Sequence, residues 1–406
     1  MIAISLRLAH LRVLGAIICA TLLGISTVVA QVEQAEIRSS ANYIYGQSMD
    51  FNLFAANLGK IEGVTLFFRL GASSDTYSAN IPVTPGSRVD VTYPLDLSQI
   101  RLPPFTSITY WWQIEREIGS PLLVPEQVIS YVDDQFVWRQ LVVTDEQGGG
   151  SIRVHWTGEN DILGEQARTT LFEMLPEISH LIPLQQILPF DVYIYPSTGD
   201  LGGAVRLAGR DFQPGQSYPD LGVALVTVVN PETAKQELRD ELSRELVDLF
   251  LYQALGQASY DLPPWLNRGL AGVIRGERDT ALENTFLAAA SAGATIPLVD
   301  LCAMDDIDSD LAAAQSESLV GYLVEVYGES AVKALVTEFS QGADCRTAFS
   351  QATGQTPEQI ETAWLRARSS SRNSRTVAEM AVWLVLVLAG FGFAGLLLLW
   401  PRRRQH

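Results

Sequence analysis

Apolar residues keep two different rhythms along this chain, and the change between them near residue 136 restricts the fold to an α+β arrangement. Up to about residue 133 the apolar runs are short and strand-like. They are Asp50–Phe54, which alternates with polar residues, then Val64–Leu70, Arg88–Tyr93, Ser107–Ile114 and Glu126–Tyr131. Turn-forming residues separate them at Asn57-Leu58-Gly59, Pro85-Gly86 and Pro103-Pro104. Beyond the change, Ser151–Thr157, Val192–Tyr195 and Val223–Val229 read as strands, with an amphipathic helix over Leu163–Leu181. Helical periodicity then takes over at about 232–256, 263–275, 280–291, 308–326, 329–340 and 356–368. Strands followed by helices are the pattern of an α+β chain.

Strands at roughly ten-residue spacing, without long helical periods, predict an antiparallel, Ig-like or fibronectin-like β-sandwich over residues 31–133. Tyr110-Trp111-Trp112 is its expected core strand, the tryptophans being packing residues rather than a carbohydrate platform. Residues 134–368 make the second domain. Gly148-Gly149-Gly150 reads as a hairpin tip, because it lacks the Lys-Ser/Thr of a phosphate loop.

Both ends read as membrane-directed. Arg7 and Arg12 precede the apolar run Val13–Val29, and Val28-Val29-Ala30 offers small or short residues for cleavage before Gln31. Residues 1–30 therefore read as a signal peptide, the alternative being an uncleaved anchor. Ile17 and Ile18 in front of Cys19 exclude a lipoprotein reading, which needs a small residue there. Ala381–Trp400 carries no charge and is long enough for a bilayer core of about 30 Å. It lies in an expected transmembrane helix over 379–401, between a polar tether (369–378) and a tail (402–406) that opens with Arg402-Arg403-Arg404. The expectation is a single-pass cell-membrane protein with its bulk outside.

Leaving out the five arginines and one glutamate of the two ends takes the net charge from −18 to −22. A surface so acidic repels nucleic acid and anionic headgroups. Cysteine usage agrees with export. Apart from Cys19 only Cys302 and Cys345 remain, an even pair expected to form one disulfide. The loop it would close, of about 44 residues, corresponds to ~4 kcal/mol of nominal chain entropy. Two separate buried thiols are the alternative.

The chemistry-bearing stretch is Arg244-Glu245-Leu246-Val247-Asp248, with Pro263-Pro264-Trp265-Leu266-Asn267-Arg268-Gly269-Leu270-Ala271 following it. On a helix over about 235–255, Leu238, Leu242, Leu246, Leu249 and Phe250 form one apolar stripe. Glu237, Glu241, Arg244, Glu245 and Asp248 fall on the other side. These two blocks, with Gln253-Ala254 between them and Ser316–Ala331 after them, resemble the bacterial peptidase MA-like (gluzincin, zincin-like) metallopeptidases. That family has His-Glu-Leu-Thr-His followed by Trp-Leu-Asn-Glu-Gly-Leu-Ala, and the spacing here matches without a gap.

The resemblance, which covers about residues 134–368, implies roles by position. Arg244 and Asp248 occupy the two histidine-ligand positions, Glu245 the general-base position and Arg268 the third-ligand position. Zinc is the cofactor the family implies, yet arginine offers no free lone pair and one aspartate cannot replace three ligands. No cofactor is expected. His155 and His180 share no metal-ligand spacing and read as hydrogen-bonded or surface histidines. If positions 244, 248 and 268 converge as in a zincin, two guanidiniums and the carboxylates of Glu245 and Asp248 would form an ion-pair network closing the vacated site.

Three functions remain open. The first is a membrane-anchored pseudopeptidase binding an extracellular protein or peptide, with Val223–Val229 as the edge strand for β-augmentation, or serving as an envelope scaffold. The second is an active zinc-dependent metallopeptidase using Glu245 as base with unrecognised metal ligands. The third is a different catalytic centre, disfavoured because neither histidine accompanies a nucleophile motif such as GxSxG.

Overall fold

The computed structural model describes residues 34–71, 75–100, 102–144, 151–159, 161–207, 215–230 and 232–368. The expected signal peptide, tether, transmembrane span and tail, and the Gly148–Gly150 tip, lie outside the described residues. Among the described residues no helix is long and apolar enough to cross a membrane. The architecture is α+β, a β-rich N-terminal domain followed by a largely helical one.

Seven strands build the N-terminal sheet: β1 (Glu36–Ile44), β2 (Ser48–Leu70), β3 (Tyr77–Ile81), β4 (Gly86–Asp96), β5 (Thr106–Arg116), β6 (Leu122–Leu123) and β7 (Gln127–Tyr131). Two expected strands, Asp50–Phe54 and Val64–Leu70, are one strand of 23 residues, β2. Its first half pairs with β1 and β4, its second with β3 and β5. Along a straight strand Phe51 and Phe68 would stand about 56 Å apart, yet their rings stack at 5.6 Å. The strand must therefore fold over on itself. It does so at Asn57 (φ 60°) and Gly59 (φ 83°), residue types that tolerate left-handed backbone. Met49, Phe51 and Leu53 before the bend share one core with Val64, Leu66 and Phe68 after it. Of the two tryptophans only Trp112 is in that core; Trp111 lies on the outer face, stacked on Phe67 at 5.5 Å. Neighbouring residues of a strand face opposite sides, so both could not point inwards.

The second domain rests on a five-stranded sheet in the order β11 (Gln216–Tyr218), β12 (Val223–Thr227), β10 (Phe190–Tyr195), β9 (Ser151–Trp156), β8 (Arg139–Thr144). The three central strands are parallel and the two outer ones antiparallel to their neighbours. Strand β12 is therefore interior, which corrects the expectation that Val223–Val229 forms the edge. The edge is β11, whose three residues are too few to leave a periodic signal. Val192, Ile194, Ala224 and Val226 pack with α1 (Ile162–Leu181) and α3 (Ala234–Leu255). Tyr193, Tyr195, Val223 and Leu225 pack with α2 (Thr198–Leu207) on the other face. On that second face Phe105 of the N-terminal domain stacks on Tyr193 at 3.4 Å, and Tyr195 Oη donates to Asp133 at 3.2 Å. The two domains thus share buried surface.

The remaining helices are α4 (Pro264–Arg275), α5 (Thr280–Ala292), α6 (Leu298–Cys302), α7 (Asp310–Tyr327), α8 (Glu329–Ser340), α9 (Cys345–Thr353) and α10 (357–368). Cys302 and Cys345 form a disulfide that ties α6 to α9. Helices α4 and α7 cross closely because glycine lines the contact. A Cβ at residue 269 would lie 2.2 Å from Val320 Cγ2 and 2.6 Å from the Ser316 carbonyl oxygen. Replacing Gly269 by alanine is expected to lower the unfolding free energy by about 2 kcal/mol or more through overpacking. Gly203 in α2 has no heavy atom within 4 Å of such a Cβ. Gly203→Ala should instead leave stability unchanged or raised by up to ~1 kcal/mol. Paired chemical denaturation curves of the two variants check both expectations.

Candidate functional site

Three elements build one cavity of about 370 Å³ at the edge of the sheet. Helix α3 contributes Arg244, Glu245 and Asp248, helix α4 contributes Arg268, and the edge strand with its preceding residue contributes Gly215, Gln216 and Ser217. The four positions singled out in the sequence therefore meet in space.

Their surroundings differ. Glu245 is only 7% exposed, although a helical wheel places it on the polar side. Helix α3 is buried well beyond one stripe, with Val247 and Leu251 as enclosed as Leu246 and Phe250. The edge strand closes over Glu245. A Cβ on Gly215 would lie 2.4 Å from Glu245 Oε1, so glycine is what lets the backbone descend onto the carboxyl. Burial pushes the Glu245 carboxyl up to about 8; Asp248 and Glu241 add to the rise, while Arg244 and a hydrogen bond from Ser217 oppose it. Asp248 faces the open mouth of the cavity, but protein surrounds it closely elsewhere, and desolvation raises its carboxyl to about 6 against a hydrogen bond from Asn267. Asn267 Nδ2 donates to Asp248 Oδ1 at 3.1 Å. Glu241, behind Arg244, is pushed up to about 7 by burial.

The expected ion-pair network does not form as drawn. Among the described residues, no ion pair within 4.0 Å joins Arg244 or Arg268 to Glu245 or Asp248. Arg244 instead leans one turn back, 4.0 Å from Glu241. Arg268 turns to helix α7, where Glu317 Oε1 lies 3.0 Å from its Nη2. The other oxygen of Glu317 accepts from Arg275 Nη2 at 2.5 Å. Arg275 is 6% exposed and its Nε also lies 3.8 Å from Asp240 on α3. Charges do connect α3, α4 and α7, but through Glu317 and Arg275, which the sequence reading missed. The signal was available in principle, since Arg268 and Arg275 stand two helical turns apart on one side of α4.

The donor set does not fit zinc. Two carboxylates, a serine hydroxyl and the Gln216 amide are the neutral or anionic side-chain donors at the cavity, where a catalytic zinc takes three protein ligands, imidazole foremost. Among the described residues no group of three or more His, Cys, Asp and Glu side chains could hold a metal ion. His155 and His180 lie elsewhere with separate partners. His155 Nε2 is 2.7 Å from Asp191 Oδ1 and its ring stacks on Tyr193 at 4.1 Å. His180 Nδ1 lies 3.7 Å from Glu329. Gln253, adjacent to the motif, clips the chain at Leu188, accepting from its N–H at 3.0 Å and donating to its carbonyl at 3.3 Å.

Residues 173–368, from the middle of α1 to the end of α10, match the family profile described as Peptidase MA superfamily. This part of the chain is a Peptidase MA superfamily domain. Solved structures similar to the chain include an M1 zinc metallopeptidase from Deinococcus radiodurans, 13% identical, with a TM-score of 0.40 over 83% of this chain and 95% of that one. Another is an aminopeptidase N family protein from Idiomarina loihiensis, 9% identical, with a TM-score of 0.29 over 81% and 69%. No curated protein matches the chain.

Two measurements probe the site of this Peptidase MA domain. A carboxyl whose folded pKa is raised is protonated in both states below its unfolded pKa. It then costs stability progressively as pH rises towards the folded value. Glu245, Asp248 and Glu241 all carry that sign, so stability should fall from about pH 4 to about pH 8. Glu245→Gln should flatten the decline and be more stable than the parent at pH 9, by about 1–3 kcal/mol, in urea titrations across that range. Glu317→Gln leaves two largely buried guanidiniums without their shared carboxylate. It should cost about 3–5 kcal/mol in denaturant titrations at neutral pH.

Proposed function

We propose that this chain is an exported, single-pass membrane-anchored protein whose Peptidase MA domain binds rather than cleaves. Its Ig-like N-terminal module packs against that domain through Phe105 and Asp133. The observation that carries the reading is the state of the cavity. Arg244, Asp248 and Arg268 stand at the three ligand positions, and Glu245, at the general-base position, lies beneath the edge strand with its pKa raised to about 8. At neutral pH a carboxyl raised so far is mostly protonated, which disfavours its taking a proton from water.

What the site still offers is a cleft beside a strand edge. Strand β11 ends the sheet over the cavity. An extended segment of an extracellular protein or peptide could add to it by main-chain hydrogen bonds, as in β-augmentation. The acidic exported portion makes nucleic acid an unfavourable partner. A scaffold role in the cell envelope is compatible with the same geometry.

Metal analysis of the full-length protein purified without chelators is the test. The expected result is far less than one zinc per chain and no chelator-sensitive cleavage of a casein or mixed-peptide substrate. One zinc per chain together with chelator-sensitive cleavage would establish instead a metallopeptidase using Glu245 as base with ligands the sequence does not reveal.

A further inference from the structure

The cavity holds an unusual pair. Arg244 and Arg268 line it from different helices, and each guanidinium retains donors that no group among the described residues uses. Among the described residues Arg244 has only the 4.0 Å approach of Glu241. Arg268 gives Nη2 to Glu317, while its Nε is buried without a hydrogen-bond partner. The two cations also feel one another: Arg268 is lowered chiefly by burial, with Arg244 among the charges that lower it further. Like charges lining one small space are relieved by an anion between them, and guanidinium forks match a carboxylate in shape.

The acidic groups nearby leave room for such an anion. Glu245 is covered by Gly215 and mostly neutral near pH 7, Asp248 is engaged by Asn267, and Glu317 is shared between Arg268 and Arg275. Asp248 at the rim disfavours a doubly charged anion over a singly charged one. Strand β11 forms another wall of the same cavity. An anion placed there is within reach of the end of a chain paired to that strand.

We infer that the vacated metal site captures the C-terminal carboxylate of an extended peptide laid along β11, with Arg244 and Arg268 as its grip. This rests on the binding reading above and adds to it the chemistry and direction of the ligand. The two arginines take over the electrostatic post of a cation, but for a chain end rather than for an interior peptide bond.

The test uses the full-length protein in detergent and one random-sequence, N-acetylated octapeptide pool prepared as the free acid and as the C-terminal amide. Affinity selection with mass spectrometry, or competition against a labelled member, reads the difference. The expected result is at least tenfold tighter binding of the acid. Arg244→Gln should abolish that preference while leaving amide binding unchanged, and Arg38→Gln on the N-terminal sheet should preserve it. The Arg244 side chain is 37% exposed and has no closer charged partner among the described residues than Glu241 at 4.0 Å, so its replacement is expected to fold; a thermal melt of the variant verifies this. Equal binding of acid and amide would overturn the inference and leave peptide binding standing. Binding of neither would overturn both. Displacement of the acid pool by inorganic phosphate, but not by acetate at equal concentration and ionic strength, would assign the grip to a phosphate-type anion and also overturn it.

Discussion

One largely buried carboxylate organises the helical half of this molecule. Glu317 on α7 neutralises Arg268 and Arg275, both on α4, and Arg275 reaches on towards Asp240 on α3. Taking such groups out of water is costly, and the geometry is tolerable only because each cation has the same acceptor within 3.0 Å. The approach depends in turn on packing. Gly269 and Gly272 allow α4 and α7 to lie so close that a Cβ at residue 272 would be 2.4 Å from the Glu317 side chain. Helix spacing, charge placement and the shape of the cavity on the far side of Arg268 are therefore one constraint seen from three positions.

That constraint also explains how the helices that wall the cavity are held in place. A zinc ion would join the helix carrying residues 244 and 248 to the helix carrying residue 268. Here those helices are joined by salt-linked side chains at 240, 275 and 317, and by apolar contacts among Leu246, Trp265, Leu266 and Leu270. The cavity walls are then free to carry charges that do not pair with each other. This is why Arg244 and Arg268, paired with Glu241 and Glu317, do not seal the space between the helices.

The large periodic elements were legible in the sequence. Helices α3, α4, α5, α7 and α8 fall within a residue or two of their expected bounds, because 12 to 22 residues of 3.6-fold repetition leave little ambiguity. The convergence of Arg244, Glu245, Asp248 and Arg268 was legible too, through the matched spacing of two short motifs. What escaped was non-local. No periodicity announces a three-residue edge strand such as β11, and nothing local distinguishes the partner of Arg268 among the many acidic residues. The fold-over of β2 was hidden for a related reason. Asn57 and Gly59 mark a bend, and a bend within one strand has the same residue signature as a turn between two.

The disulfide between Cys302 and Cys345 has a consequence for how the molecule can come apart. Helix α10 follows the bond in sequence, and its Trp364 stacks on Phe286 at 4.9 Å and donates through Nε1 to Ser318. Were a load applied at the C-terminal end, α10 would peel first and α9 would stand next in line. Peeling would then reach residue 345 and stop at a covalent junction. Beyond it, tension divides between the main chain through α8 and α7 and the bridge to α6. The fold is thus wired with a mechanical fuse of about two dozen residues, after which force is shared across the domain instead of travelling along a single strand of chain.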